Sequence, residues 1–166
     1  LIETNGTGTI NINGTPGGLT MSTGVYIDTN AVIRSVNGNI NLTGISTENN
    51  AIEVNGKVET LGTGTISINA ANPNAIAALN LENINTNGSD VNITTSGQLQ
   101  NGSIVTRGGN INITVNSGSL FGGTPIKLDT SNVSNGGNGG NITINVPNGD
   151  VVTSNINTFA IKNAGN

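Results

Sequence analysis

Gly139-Gly140-Asn141-Ile142-Thr143-Ile144-Asn145-Val146 decides the reading of this chain, because glycine punctuation followed by alternating apolar and small polar residues returns throughout it. Variants stand at Gly8-Thr9-Ile10-Asn11-Ile12, Gly38-Asn39-Ile40-Asn41-Leu42, Gly64-Thr65-Ile66-Ser67-Ile68, Gly88-Ser89-Asp90-Val91-Asn92-Ile93 and Gly109-Asn110-Ile111-Asn112-Ile113. A period of two places Ile10 and Ile12, Ile40 and Leu42, Ile66 and Ile68, Val91 and Ile93, Ile111 and Ile113, and Ile142 and Ile144 on one face of short half-buried strands. These residues are the expected structural core.

The first apolar residue of each copy is separated from the next by 30, 26, 25, 20 and 31 positions. Repeats of this length mark solenoids, in which each unit buries its apolar side only by stacking on its neighbours. Uneven spacing is then variation in loop length over a constant core. Further strands fit between the copies at Val25–Ile27, Ala31–Val36, Ala51–Val54, Lys57–Leu61, Ser103–Thr106, Ile126–Leu128 and Val151–Thr153. Asn74–Glu82 reads as a bulged coil strand, with Pro73 at its entry and Ile76, Leu79 and Leu81 as its apolar residues.

Asn-Gly pairs at 37–38, 55–56, 87–88, 101–102 and 148–149 read as turns, where both residues accept left-handed backbone angles at low cost. Such pairs also close antiparallel hairpins, so an up-and-down sheet or sandwich is the competing architecture. A sandwich of this size buries aromatic side chains from two broad faces, and here only Tyr26, Phe121 and Phe159 are on offer. The narrow core of a solenoid suits the composition better: 33% hydrophobic, 8% charged and 2% aromatic. The expected fold is all-β, a parallel β-helix of about six coils, roughly 30 Å along its axis at ~4.8 Å per coil. Residues 1–166 read as a single repeat segment that starts and stops mid-pattern, as a piece of a longer protein would.

A net charge of −4 and five scattered basic residues, Arg34, Lys57, Arg107, Lys127 and Lys162, argue against a nucleic-acid partner. No apolar run approaches the length of a membrane-spanning helix. With no Cys and no His, the chain holds no thiol nucleophile, no Ser-His or Cys-His mechanism and no Cys- or His-based metal site. The tract from Gly136 to Gly140 invites comparison with calcium-binding nonapeptide rolls, but Asn141 stands where Asp is wanted, and Thr143 where an apolar residue is wanted. It reads as a structural turn. Sequons at Asn41, Asn92 and Asn112 fit stacked hydrogen-bonded amide ladders as well as they fit glycosylation. Thr7-Gly8-Thr9 and Thr63-Gly64-Thr65 weakly resemble ice-ordering threonine rows, without adjacent copies. Among the acids, only Glu53 and Glu59, with Lys57, form a close mixed group, which reads as an exposed salt bridge. No catalytic residue, metal or cofactor is expected, and the chain reads as a non-enzyme.

The G-[NT]-I-x-[IL] strands, the intervening V-x-I and I-x-V strands and the Asn-Gly turns together resemble the repeat region of filamentous-haemagglutinin-like exoproteins. Gly62–Ile68 and Gly137–Ile144 carry the likeness best. The resemblance implies a right-handed parallel β-helix, export by bacterial two-partner secretion and a place on the cell surface or outside the cell. It implies a structural or adhesive role in a fibre, with self-association end to end or with flanking repeats, and a host or environmental glycan or protein as partner. The alternative is a polysaccharide-binding or polysaccharide-cleaving β-helix.

Overall fold

The computed structural model describes residues 1–17, 23–72, 74, 77–120, 125–133 and 137–160; Pro73, Ile76, Phe121, Gly136 and Lys162, named above, lie outside them. Every regular element among the described residues is a strand: β1 Ile2–Thr4, β2 Ile10–Gly14, β3 Val25–Ile27, β4 Val32–Ser35, β5 Ile40–Ile45, β6 Ile52–Thr60, β7 Ile66–Ala71, β8 Ala77–Asn85, β9 Val91–Thr95, β10 Gln98–Gln100, β11 Ser103–Val105, β12 Ile111–Val115, β13 Ile126–Asp129, β14 Ile142–Asn145 and β15 Thr153–Asn157. All pairings are parallel, and each strand pairs with its counterpart one repeat away. The chain is a parallel β-solenoid, as the repeat spacing requires. Parallel crossovers follow a right-handed path in nearly all proteins.

One sheet is a simple stack, β2-β5-β7-β9-β12-β14, one strand from each of six coils. The other holds two runs per coil, because β6 and β8 are long enough to serve both. The first half of β6 pairs β3, and its second half pairs β4. Each coil therefore has three strand runs around a narrow interior.

Register turns the alternating pattern into columns. In the simple stack, Ile10, Ile40, Ile66, Val91, Ile111 and Ile142 lie directly over one another, and so do Ile12, Leu42, Ile68, Ile93, Ile113 and Ile144. A third column runs Ile2, Ile33, Val58, Ile84, Ile104, Leu128 and Ile156. A fourth contains Val25, Ile52, Leu79, Leu99, Leu120 and Val151. Burying each such side chain contributes about 1.5–3 kcal/mol, and none does so without a neighbouring coil. Tyr26 is 57% and Phe159 52% exposed, so neither of these aromatics adds to the narrow core.

Several local readings are corrected. Ala51–Val54 and Lys57–Leu61 are one strand, β6. Asn55-Gly56 is a bulge within it: Val54 pairs Leu81 and Lys57 pairs Asn83, so two residues face Glu82 alone. Of the Asn-Gly pairs, only Gly88, Gly102 and Asn101 have positive φ (95°, 111° and 55°). Gly38, Gly56 and Gly149 are glycine for a different reason, close approach between coils. The strand expected at Asn74–Glu82 begins later and runs on as β8. At Val151–Thr153 only an isolated bridge at Val151 precedes β15. β1, β10 and most of β15 carry no strong alternating pattern, and pairing to established neighbours makes them strands.

Candidate functional site

The twelve core residues picked from the sequence occupy the two columns of the simple stack. Ile40, Leu42, Ile66, Ile68, Val91, Ile93, Ile111 and Ile113 are buried, whereas Ile10, Ile12, Ile142 and Ile144, on strands paired on one side among the described residues, are half-buried. Outward positions between them also align. Asn41 Nδ2 donates to Asn11 Oδ1 at 2.8 Å, and Asn112 Nδ2 donates to Asn92 Oδ1 at 2.9 Å. Three of these four asparagines, Asn41, Asn92 and Asn112, belong to sequons and Asn11 lies in register with Asn41; the amides are engaged in ladders between coils. Thr9 and Thr65 fall two coils apart with Asn39 between them, and Asn39 Oδ1 accepts the Thr65 N–H at 2.9 Å. No continuous threonine row forms there.

At the corners leading into β5, β7, β12 and β14 the backbones of successive coils approach too closely for a side chain, while Ser89 holds the equivalent place before β9. A Cβ at Gly38 would stand far inside 3.0 Å of the Gly8 carbonyl, one at Gly64 would meet Gly38, and one at Gly140 would meet Gly109. Beside this glycine stack runs a column the sequence reading missed: Ser35, Thr60, Thr86, Thr106 and Thr130, all buried. Ser35 Oγ accepts the Gly38 N–H at 2.8 Å, Thr106 Oγ1 donates to the Gly109 carbonyl, and Thr130 Oγ1 donates to the Gly140 carbonyl at 2.6 Å. These hydroxyls latch the corner shut. Among the described residues, Thr60 Oγ1 alone is a buried side-chain polar atom without a partner. Its corner carries one residue more: Gly64 follows Thr60 by four positions, where Gly38 follows Ser35 and Gly109 follows Thr106 by three. The signal for most of this column was present, a Ser or Thr three or four positions before Gly38, Gly64 and Gly109, but Thr130 stands ten before Gly140.

The mixed charge group takes a different form from the one expected. Glu59 lies between Arg34 Nε at 2.7 Å and Lys57 Nζ at 2.5 Å, with its side chain only 7% exposed. Glu53 lies on the other run of the sheet and accepts a hydrogen bond from Asn55 Nδ2 at 2.9 Å. Burial alone would raise the Glu59 carboxyl, but hydrogen bonds from Lys57 and Arg34 outweigh it and hold the group below the usual carboxylate range. Arg34 is raised by its hydrogen bond to Glu59. Asp129 repeats the arrangement lower on the same face: burial pushes it up, and Ser131, Asn157 and Lys127 together pull it down. Each cluster centres on one carboxylate fixed by cations or donors, which suits holding strands together rather than exchanging protons at neutral pH.

A polar groove of about 410 Å³ lies where the two-run sheet bends, lined by Asn80, Glu82, Asn83, Asn101 and Ser103 along with Leu81 and Gly102. Asn101, in the left-handed region, turns its amide outward and donates to Asn80 Oδ1 at 2.9 Å. Only one carboxylate, Glu82, lines it. Among the described residues no group of three or more acids is placed to hold a metal ion, and no helix is long and apolar enough to cross a membrane. No family model, curated protein or solved structure matches the chain.

Proposed function

We propose that this chain is a length-building segment of a secreted bacterial surface fibre or adhesin, of the filamentous-haemagglutinin-like kind. The observation that supports it is the in-register stacking of equivalent residues over six coils, with corner glycines and hydroxyl latches repeated from coil to coil. Such a unit puts its residues into extending an axis, and leaves loops of variable length to display along its sides. Electron microscopy of the full-length protein tests it: thin rods whose length scales with repeat number are expected, and compact particles alone would overturn the reading.

The Asn80–Ser103 groove favours a second reading, binding of a polyhydroxylated ligand such as a polysaccharide. Amides and a hydroxyl offer paired donors and acceptors to sugar hydroxyls, and the single carboxylate suits binding better than two-carboxylate hydrolysis. A glycan array with the Asn101→Ala variant as control, run beside a reducing-sugar assay, separates binding, cleavage and neither.

A further inference from the structure

Among the described residues, every charged residue that a strand carries lies on the two-run sheet, and the strands of the simple stack carry none. The outward side of that stack has two columns, running in register from Asn11 to Thr143 and from Asn13 to Asn145, which hold only Asn, Thr and Ser. At the strand ends Ile45, 46% exposed, stands outward in register with Ala71 and adds an apolar spot. Asp90, at the corner before β9, is turned to the backbone, where its Oδ1 accepts the Asn110 N–H at 2.7 Å. Soluble surfaces ordinarily mix charges of both signs, at about a quarter to a third of their residues. We infer that this charge-free face pairs side by side with the same face of a second copy of the chain.

Charge decides which faces can meet. The chain carries a net charge of −4, and on the strands of the two-run sheet acids outnumber cations five to three, so copies meeting through that sheet bring like charge together. The simple stack brings none. Its side chains are also complementary to themselves, because an amide or a hydroxyl both donates and accepts, and a row of them can hydrogen-bond to a copy of itself. Spacing matches as well. Rows recur at about 4.8 Å along the axis and at about 6.6 Å along each strand, and a second solenoid repeats both distances, so contacts made in one coil recur in the next. Asn69 and Thr94, exposed and in register in the middle of the stack, lie at the centre of this contact.

Area sets its strength. Six strands of four to six residues cover roughly 25 by 15 Å, so a pair buries on the order of 800 Å² in all, below the ~1,200 Å² of a standard interface. The chain should therefore pair weakly, with a dissociation constant on the order of 0.1–1 mM, and each further coil of the same pattern adds contacts of the same kind. Pairing needs only this face, and holds whether or not the chain builds fibres.

Sedimentation equilibrium of the chain up to millimolar concentration tests the inference. A reversible monomer–dimer equilibrium is expected, unchanged or strengthened as salt screens the net charge. Thr94→Lys and Asn69→Lys each place an ammonium at the centre of the face and should weaken pairing at least about tenfold. Asn85→Lys makes the same change of charge on the two-run sheet, in register with Glu59, and should not weaken it. The chain has no cysteine, so Asn69→Cys and Asn85→Cys create single reactive sites on successive strands that belong to opposite sheets. A short bifunctional maleimide should link copies at 69 and not at 85. Monomer alone at millimolar concentration would overturn the inference, and so would dimers that salt dissolves. Undiminished pairing in both folded lysine variants of the simple stack, or equal cross-linking at the two cysteine sites, as end-to-end stacking produces, would overturn it as well.

Discussion

The carbonyl oxygen of Gly38 occupies the place where the Cβ of any other residue at Gly64 would have to stand. Gly64 has no positive φ, so its requirement for glycine comes from the adjacent coil and not from its own backbone angles. Gly64→Ala must push two coils apart at a corner where hydrogen bonds link them. A loss of about 3 kcal/mol is expected, at the upper end of overpacking costs. Gly6→Ala, with open space around it, should change stability by no more than about 0.5 kcal/mol. Urea denaturation of the two variants beside the wild type checks the contrast. Equal effects would mean that the stack yields easily.

Core position should matter more than core identity. Ile111 and Ile142 head neighbouring strands in one column, yet Ile111 is fully buried between β9 and β14 while Ile142 is half-buried, with β12 as its strand neighbour among the described residues. An aspartate at 111 places an unpaired charge in the interior, which costs more than about 4 kcal/mol and should abolish folding. In this 166-residue chain the half-buried position 142 lets the carboxylate turn toward water, so Ile142→Asp should cost about 1–2 kcal/mol and leave the other coils folded. Circular dichroism and thermal melts of both variants distinguish the cases. Loss of folding in Ile142→Asp would show that the terminal coil is needed for the rest.

The columns were legible because Ile, Val and Leu alternate strictly with Asn and Thr, and a period of two leaves one face to bury. Asn41 and Asn112 could be read as ladder residues for the same reason. What could not be read was whatever depends on the adjacent coil. Gly38 and Gly88 look alike in sequence, both following Asn, but one answers a close carbonyl and the other a positive φ. Glu53 and Glu59 lie six residues apart and seemed one group until the bulge at Asn55-Gly56 sent them to different runs. Arg34, which completes the Glu59 cluster, arrives from 25 residues away. The groove at Asn101 depends on a left-handed asparagine that composition does not announce.

The hydroxyl column offers a test in which removing a polar group stabilises. Thr60 Oγ1 is buried without a partner, at a corner where Gly64 follows four positions later. Thr60→Val keeps the shape and removes an unpaired polar atom, so a gain of about 1 kcal/mol is expected. Thr106→Val removes the hydroxyl bonded to Gly109, leaving that carbonyl without its corner latch, and should cost about 1–2 kcal/mol. Opposite shifts in the urea midpoint are the expected result. A destabilised Thr60→Val would show that this hydroxyl finds a partner in solution.

Glu59 and Asp129 are the groups expected to weaken the two-run sheet in acid. Both carboxyls are held below the ordinary range in the folded chain, so the folded state binds protons less readily than the unfolded one. Their contribution is fully present above the unfolded carboxylate range of about 4, and it is lost as pH falls through the lower folded values. Cations on Glu59 are partly exposed, at 33% for Arg34 and 44% for Lys57, and screening reduces what the pairs contribute. Glu59→Gln should therefore lower stability by about 1 kcal/mol at neutral pH and by progressively less in acid. Asp129→Asn should act in the same direction, because its oxygens accept from Ser131 and Asn157 and face Lys127. The double variant should show a flattened acid limb when urea midpoints are plotted against pH. A limb as steep as the wild type's would place the titrating groups elsewhere.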